Sequence, residues 1–400
     1  MDTHAVTTDV PALARLQRWG LVAGFWGLLA GAIGAFLNVD QFLRSWLIGF
    51  LFCLGLTMGS LALLMVQYMS GGQWGLVARR VFEAASRNIP FVALLFVPLA
   101  IGLPRLYTWA APEVDPHLAH FVHAKAPYLN VPFFLTRAVL FFALWALASW
   151  LLNGWSVGQD RGEVAVHPAD TRRFRVVSAP GILIYVITMT FASVDWIMSL
   201  DPTWYSTIFG FILVAGQGLA GLALAIAVLA ALSNVEPLAT YLNPRLHFLD
   251  LGKLLLAFVM LWAYFSFSQL LIIWAGNLPE EIPFFYNRFR GGWQYVSLII
   301  LLGHFALPFV LLLSRDLKRH PNLLAKVAIF VLLMRVVDLV WLVEPMFKPH
   351  EGFPIHWMDL ALPIGLAGVW TFLFARNLRS RALLPLNDPF FKEALAHDGH

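Results

Sequence analysis

The chain has 400 residues, of which 60% are hydrophobic and only 12% charged, with a mean hydropathy of +0.73. Soluble domains are roughly 45–50% apolar and about 25% charged, so the composition excludes a soluble enzyme and requires a membrane protein. The formal charge of +4 and a pI near 9.3 then point to membrane topology and anionic lipid, not to nucleic acid.

A membrane span needs ~20 mostly apolar residues. Ten such runs follow one another, at about 19–38, 45–69, 90–108, 131–152, 179–199, 205–232, 252–275, 293–314, 324–343 and 357–376. The first follows Arg15 and Arg18 but is too long for a usual signal-peptide core, so it is expected to be a retained anchor. Pro98 and Pro104 should kink the third. The connections 109–130 and 153–178 are the longest, and neither is long enough for a core of its own. The tail beyond Arg381 is expected to be disordered or docked on a partner. The fold class is therefore an all-α integral membrane protein, one polytopic domain over 1–400.

Lys and Arg fix the orientation. Nineteen of the 27 lie in the N-terminus, the even-numbered loops or the C-terminus, Arg79, Arg80, Arg172, Arg173 and Arg175 among them. Six, including Arg44, Lys125, Arg288 and Lys348, lie in odd-numbered loops, and Arg137 and Arg335 fall within runs. By the positive-inside rule both termini are cytoplasmic.

Cys53 is the only cysteine. The chain alone forms no disulfide, ligates no iron–sulfur cluster through cysteines and has no Cys-x-x-Cys-His haem attachment. His304 is the one clear mid-run histidine, so a bis-histidine haem is not expected and no metal site is assigned.

Two acids stand out. Val194-Asp195 is followed by five residues and then Asp201-Pro202; Val337-Asp338 is followed by five and then Glu344-Pro345. An ionisable residue within a span costs ~2.5–3.5 kcal/mol on insertion scales and is a functional hypothesis by default. Matching contexts in runs 5 and 9 indicate a duplicated helical unit in parallel orientation. The expected architecture is two four-helix bundles, runs 2–5 (45–199) and 6–9 (205–343), with runs 1 and 10 peripheral. Asp201 and Glu344 read as solvated cap or loop acids.

At 100° per residue, Tyr185, Thr188, Ala192, Asp195 and Ser199 fall on one face of run 5. They form either a proton path or interhelical hydrogen-bonding glue. In run 9, Arg335 and Asp338 share a face at i and i+3, as a neutralising pair or as a tuned protonatable site. In run 7, Trp262 and Gln269 share one face with Ser266, and Tyr264 and Ser268 another. Gln269 donates and accepts, so it suits a quinone carbonyl or a quinol hydroxyl, and flat aromatics suit a ring. Arg137 either snorkels, pairs with Asp195 or contacts a quinone. His304 is a packing residue or a proton relay.

Two longer strings carry a family resemblance. Ser193-Val194-Asp195-Trp196-Ile197-Met198-Ser199-Leu200-Asp201-Pro202-Thr203-Trp204-Tyr205-Ser206-Thr207 is one. Leu261-Trp262-Ala263-Tyr264-Phe265-Ser266-Phe267-Ser268-Gln269, with Trp274-Ala275-Gly276-Asn277-Leu278-Pro279-Glu280-Glu281 after it, is the other. They resemble the ActF-type membrane subunits of bacterial alternative complex III, within the NrfD/PsrC-like family. The resemblance covers essentially the whole chain. It implies two four-helix bundles plus flanking helices in a bacterial inner membrane, and a place in a quinol:electron-acceptor oxidoreductase of the respiratory chain. It also implies partners: an iron–sulfur subunit, a multihaem cytochrome c subunit holding haem c, and a sister NrfD-like quinol-binding subunit. It carries Asp195, Asp201, Tyr264, Ser268 and Gln269 over as matched positions. It attributes quinol oxidation to the sister subunit and makes this chain part of a proton path, so the expected contribution is to quinone binding, a proton pathway or both. The competing readings are a proton-coupled secondary transporter and a passive membrane anchor for a periplasmic redox complex.

Overall fold

The computed structural model describes residues 10–161, 171–347, 355–389 and 391. Lys348 and the final His397–His400 stretch lie outside those residues. In chain order the α-helices are α1 (Pro11–Leu37), α2 (Val39–Ser70), α3 (Gln73–Ser86), α4 (Ile89–Ile101), α5 (Leu103–Leu106), α6 (Pro116–Lys125), α7 (Val131–Asp160) and α8 (Arg172–Trp196). They continue with α9 (Phe209–Leu232), α10 (Leu238–Tyr241), α11 (Leu249–Gly276), α12 (Ile282–Arg288), α13 (Trp293–Ile299), α14 (Leu307–Leu313), α15 (Arg315–Arg319), α16 (Pro321–Val343) and α17 (Met358–Arg379). No strand occurs among the described residues.

Local chemistry sets several boundaries. Asn38 separates α1 from α2, its side chain accepting from the Gln41 amide at 3.0 Å, a standard N-cap. Asn130 does the same for α7 through Phe133, with Pro132 in the first turn. Asn277, at φ 49°, closes α11 in the left-handed conformation that short amides tolerate. The third expected run is shorter than anticipated, because α4 ends at Gly102, one turn after Pro98, and the chain restarts as α5.

Nine stretches among the described residues are helical, long and apolar enough to cross a membrane. They match nine of the ten expected runs, α3 and α4 together forming one of them. The remaining run is α16, whose 23 residues suffice in length but which carries Lys326, Arg335 and Asp338. Its charge, not its length, sets it apart.

Of the membrane-length helices, α2 and α9 are the most deeply buried, and they pack on each other. The approach is close: a Cβ at Gly59 would lie 1.8 Å from the Gln217 carbonyl oxygen. α3, α4 and α8 also pack on α2, and α7 on α4 and α8. α11 and α16 pack on α9, with α13 and α14 beside them. α1 and α17 pair along their length, and α17 packs on α2. The α1–α17 seam is built on Gly20, Gly24, Gly27, Gly31 and Gly34, all buried. A Cβ at Gly27 would sit 2.3 Å from the Gly365 Cα, so the backbones touch, as small residues permit in membrane helices.

The described part of the tail, 382–389 and 391, packs on the chain. Leu383, Leu384, Asp388 and Phe391 are buried, and Asn387 donates to the Gln159 and Asp160 carbonyls at 3.3 and 3.0 Å. The expectation of a disordered or partner-docked tail is corrected for 382–389 and 391, which dock on their own chain; 392–400 lie outside the described residues.

Candidate functional site

Asp195 is fully buried one residue from the end of α8. Arg137, from α7, grips it bidentately: Nε donates to Oδ2 and Nη2 to Oδ1, both at 2.8 Å. The third guanidinium nitrogen donates to the Tyr128 carbonyl at 2.9 Å. Its Cζ lies 3.8 Å from the Tyr128 ring centroid and 4.2 Å from that of Phe133. Burial, with the Asp195 charge behind it, pushes the Tyr128 phenol above its ordinary range. Of the alternatives for Arg137, pairing with Asp195 is the arrangement present. A fork-on-carboxylate geometry with low exposure fixes both side chains.

The polar face of α8 exists but serves several neighbours. Tyr185 donates to Gln217 Oε1 of α9 at 2.7 Å. Thr188 accepts from Trp145 Nε1 of α7 at 2.8 Å and donates to the Ile184 carbonyl. Ser199 lies beyond the helix end, where its hydroxyl donates to the Asp195 carbonyl. It also lines a cavity of about 350 Å³ with Lys125, Tyr128 and Tyr205. Lys125 donates to the Pro202 carbonyl at 2.6 Å, and burial lowers its ammonium below the ordinary value against the attraction of Asp201.

The second acid sits in a different environment. Arg335 Nη1 donates to Asp338 Oδ2 one turn along α16. The Arg335 guanidinium occupies the space above Gly216 of α9. Asp338, only 2% exposed, forms part of the wall of a cavity of about 640 Å³ between α11, α12, α13 and α16. The wall is mostly apolar and aromatic, with Trp262, Phe284, Phe305 and Trp341 in it, and besides Asp338 it carries Ser266, Gln269, Gln294 and Ser297 as polar points. Gln269 Oε1 accepts from Ser206 at 2.5 Å, and its amide nitrogen has no partner among the described residues. Ser297 accepts from Trp341 Nε1 at 2.7 Å. Tyr264 and Phe267 line the cavity while more than 60% exposed, so it opens on the outer face of the helices. A concave apolar site with few convergent polar groups is the ordinary form of a small-molecule pocket.

His304 lies in a π-helical stretch, Ile300–Ala306, between α13 and α14. Its ring meets Trp262 edge-on, with centroids 4.3 Å apart. It is fully buried, and neither ring nitrogen has a hydrogen-bond partner among the described residues. A buried polar group without a partner, on a π-bulge, calls for a functional explanation.

Nine of the twelve expected site residues fall into two groups; Tyr185, Thr188 and Ser268 belong to neither. Trp262, Tyr264, Gln269, Asp338, Arg335 and His304 gather at or beside the large cavity. Arg137, Asp195 and Ser199 gather at the end of α8. Arg137 and Ser268 do not line the large cavity, although both were expected at a quinone. Between the groups, Gln217 links Tyr185 to a cavity of about 10 Å³ whose wall also holds Arg335 and Ser193. That is the volume of about one water molecule.

Several buried polar groups escaped the sequence reading. Gln217 is the one polar side chain in α9, a signal that was legible. Asp359 is fully buried at the start of α17. It accepts from Gln41 at 2.8 Å, Ser45 at 2.5 Å and the His356 amide at 2.9 Å. Glu344, expected in solvent, is buried in the turn after α16. Arg79 and Arg80, counted as loop charges, are buried in α3 around Glu83 at 2.9 and 2.7 Å. Arg79 also reaches Asp388 of the tail at 2.5 Å, and Arg381 reaches Glu83 at 3.2 Å. The spacing of Arg79, Arg80 and Glu83 permits such pairs on one helix; the tail's contribution is invisible locally.

Among the described residues, no group of three or more His, Cys, Asp or Glu side chains is placed to hold a metal ion. Neither models of known protein families nor curated proteins match this chain.

Proposed function

We propose that this chain is a membrane subunit of a quinol:electron-acceptor oxidoreductase in which the α11–α16 cavity holds the quinol head group. The cavity carries the reading. Its volume suits one ring with part of its tail, its walls are aromatic, and it opens where a lipid-soluble molecule arrives sideways from the bilayer. The family resemblance of the run 5 and run 7 strings supports membership of such a complex, although it implies that a sister subunit oxidises the quinol and that this type of chain is part of a proton path; the cavity alone supports a quinol here. Gln269 orients a ring oxygen through its free amide nitrogen, and the Asp338 carboxylate accepts a quinol hydroxyl proton. Oxidation of a quinol to a quinone releases two protons and two electrons. The electrons would pass to haem c or iron–sulfur centres held by partner subunits, and the protons leave from Asp338 towards the nearer, outer end of α16. With the termini cytoplasmic, as the Lys and Arg distribution requires, that release is periplasmic. The pocket lies among the helices that pack on or beside α9, which would be the second of two four-helix bundles if the duplicated arrangement holds.

A purified preparation of the full chain with its co-purifying subunits tests this. A quinol analogue carrying a photoreactive group should crosslink to α11 or α16, and Gln269→Leu should weaken its binding by roughly 5- to 100-fold, the effect of one lost buried hydrogen bond. Crosslinks confined to other subunits would remove the quinol from this cavity. The bidentate Arg137–Asp195 pair favours a second reading for the α8 end, that of structural anchor, because a carboxylate held this way has its charge already answered.

A further inference from the structure

Independently of the quinol reading, we propose that a cleft between α3, α4, α7 and the C-terminal segment binds the phosphodiester head group of an anionic phospholipid. The cleft has a volume of about 280 Å³ and is lined by Arg87, Arg381, Asn153, Trp150 and Gly154, among others. Its charge is unbalanced. Arg87 is half-buried, bonds only the Ser380 hydroxyl at 3.0 Å and the Asn377 carbonyl at 3.4 Å, and has no carboxylate partner among the described residues. Arg381 and Arg376 repel it, and Glu83 attracts it without bonding it. Glu83, the nearest acid, already accepts from Arg79, Arg80 and Arg381. Arg87 uses one guanidinium nitrogen and Arg381 likewise one, at 3.1 Å to Asn153 and 3.2 Å to Glu83. Each keeps N–H donors for an incoming anion, and paired arginines suit a phosphate.

The depth fits a head group. α7 has 30 residues, about 45 Å at 1.5 Å per residue, against a hydrocarbon core of about 30 Å. Counting from Val131, the hydrocarbon boundary crosses near residue 151. Trp150 is 71% exposed there, as aromatic residues are at membrane interfaces. Beyond it, α7 turns polar with Asn153, Ser156, Gln159 and Asp160. Gly154 opens the wall: a Cβ there would meet nothing within 4 Å. Basic pockets between helices at the interface recognise lipid phosphates in this manner.

The test is lipid retention by the purified full chain with its co-purifying subunits, measured by native mass spectrometry. Phosphatidylglycerol, phosphatidylcholine and inorganic phosphate are added separately. With about 1 kcal/mol per arginine near the surface, the wild type should prefer phosphatidylglycerol over phosphatidylcholine by roughly 30-fold. Arg87→Gln should reduce the preference to roughly fivefold. Gly154→Leu, which changes no charge and no hydrogen bond, should abolish retention by filling the cleft, and it decides the matter if Arg87→Gln fails to fold. Equal retention of both lipids by the wild type would overturn the proposal, as would a preference unchanged by Gly154→Leu. Displacement of phosphatidylglycerol by inorganic phosphate at equal concentration would identify free phosphate as the ligand and overturn the lipid assignment.

Discussion

Arg335 lies against Gly216 so closely that a single added carbon could not fit between them: a Cβ at Gly216 would stand 2.4 Å from the Arg335 Cζ. The guanidinium that pairs with Asp338 is thus held from behind by a gap in α9. Gly216→Ala should push Arg335 out of line and loosen Asp338 in the cavity wall. Overpacking of this kind typically costs about 1–3 kcal/mol. Thermal unfolding in detergent should register the loss, and a quinol analogue should bind less tightly. An unchanged melting temperature together with unchanged binding would show that Arg335 has room to move.

The Arg137–Asp195 pair makes a sharper prediction. Removing one partner of a buried ion pair costs about 3–5 kcal/mol, whereas replacing both by apolar groups is often neutral. Arg137→Leu should therefore destabilise strongly, and Arg137→Leu with Asp195→Leu should restore much of the stability. If the double variant is stable but turnover with quinol and acceptor is lost, the pair has a task beyond anchoring. Full turnover in the double variant would assign it to structure alone.

Asp338→Asn keeps the size of the side chain but removes its capacity to take a proton as a carboxylate. Quinol oxidation and coupled proton release should fall at least tenfold, while assembly with partner subunits is retained. The readout is stopped-flow acidification alongside acceptor reduction. Wild-type rates in this variant would exclude Asp338 as the proton acceptor.

The docked tail gives a fourth prediction. Asp388→Ala leaves Arg79 with Glu83, Ser156 and Gln159 but breaks its contact with the tail. A buried charged hydrogen bond of this type contributes about 1–3 kcal/mol. Limited proteolysis should then cleave beyond Arg381 several times faster than in the wild type, with the helical core intact. Equal cleavage rates would mean that Leu383, Leu384 and Phe391 hold the tail unaided.

The α1–α17 seam gives a fifth. Gly27→Leu places a side chain where the Gly365 backbone already sits, so α1 should separate from α17. Crosslinking between cysteines placed along the two helices would detect this, and the remaining helices should stay assembled. Undiminished crosslinking would show that the seam yields without parting.

The sequence by itself determined the class of the molecule and the extent of its apolar helices, because hydropathy and capping act within a few residues. It also marked Asp195, Asp338 and the Trp262–Gln269 face, because polar groups in apolar helices are conspicuous wherever they fold. Where the deciding partner is distant in the chain it left alternatives open, as for Arg137, or missed the contact, as for Asp388. Arg137 meets Asp195 across 58 residues, and Asp388 meets Arg79 across 309. Whether Glu344 faces water or protein, whether Arg79 is a loop charge or a buried ion pair, and whether Ser268 reaches the cavity are settled by which helices pack together. Only the tertiary structure decided these, because desolvation and pairing depend on what surrounds a group in space, and a residue's sequence neighbours do not carry that information.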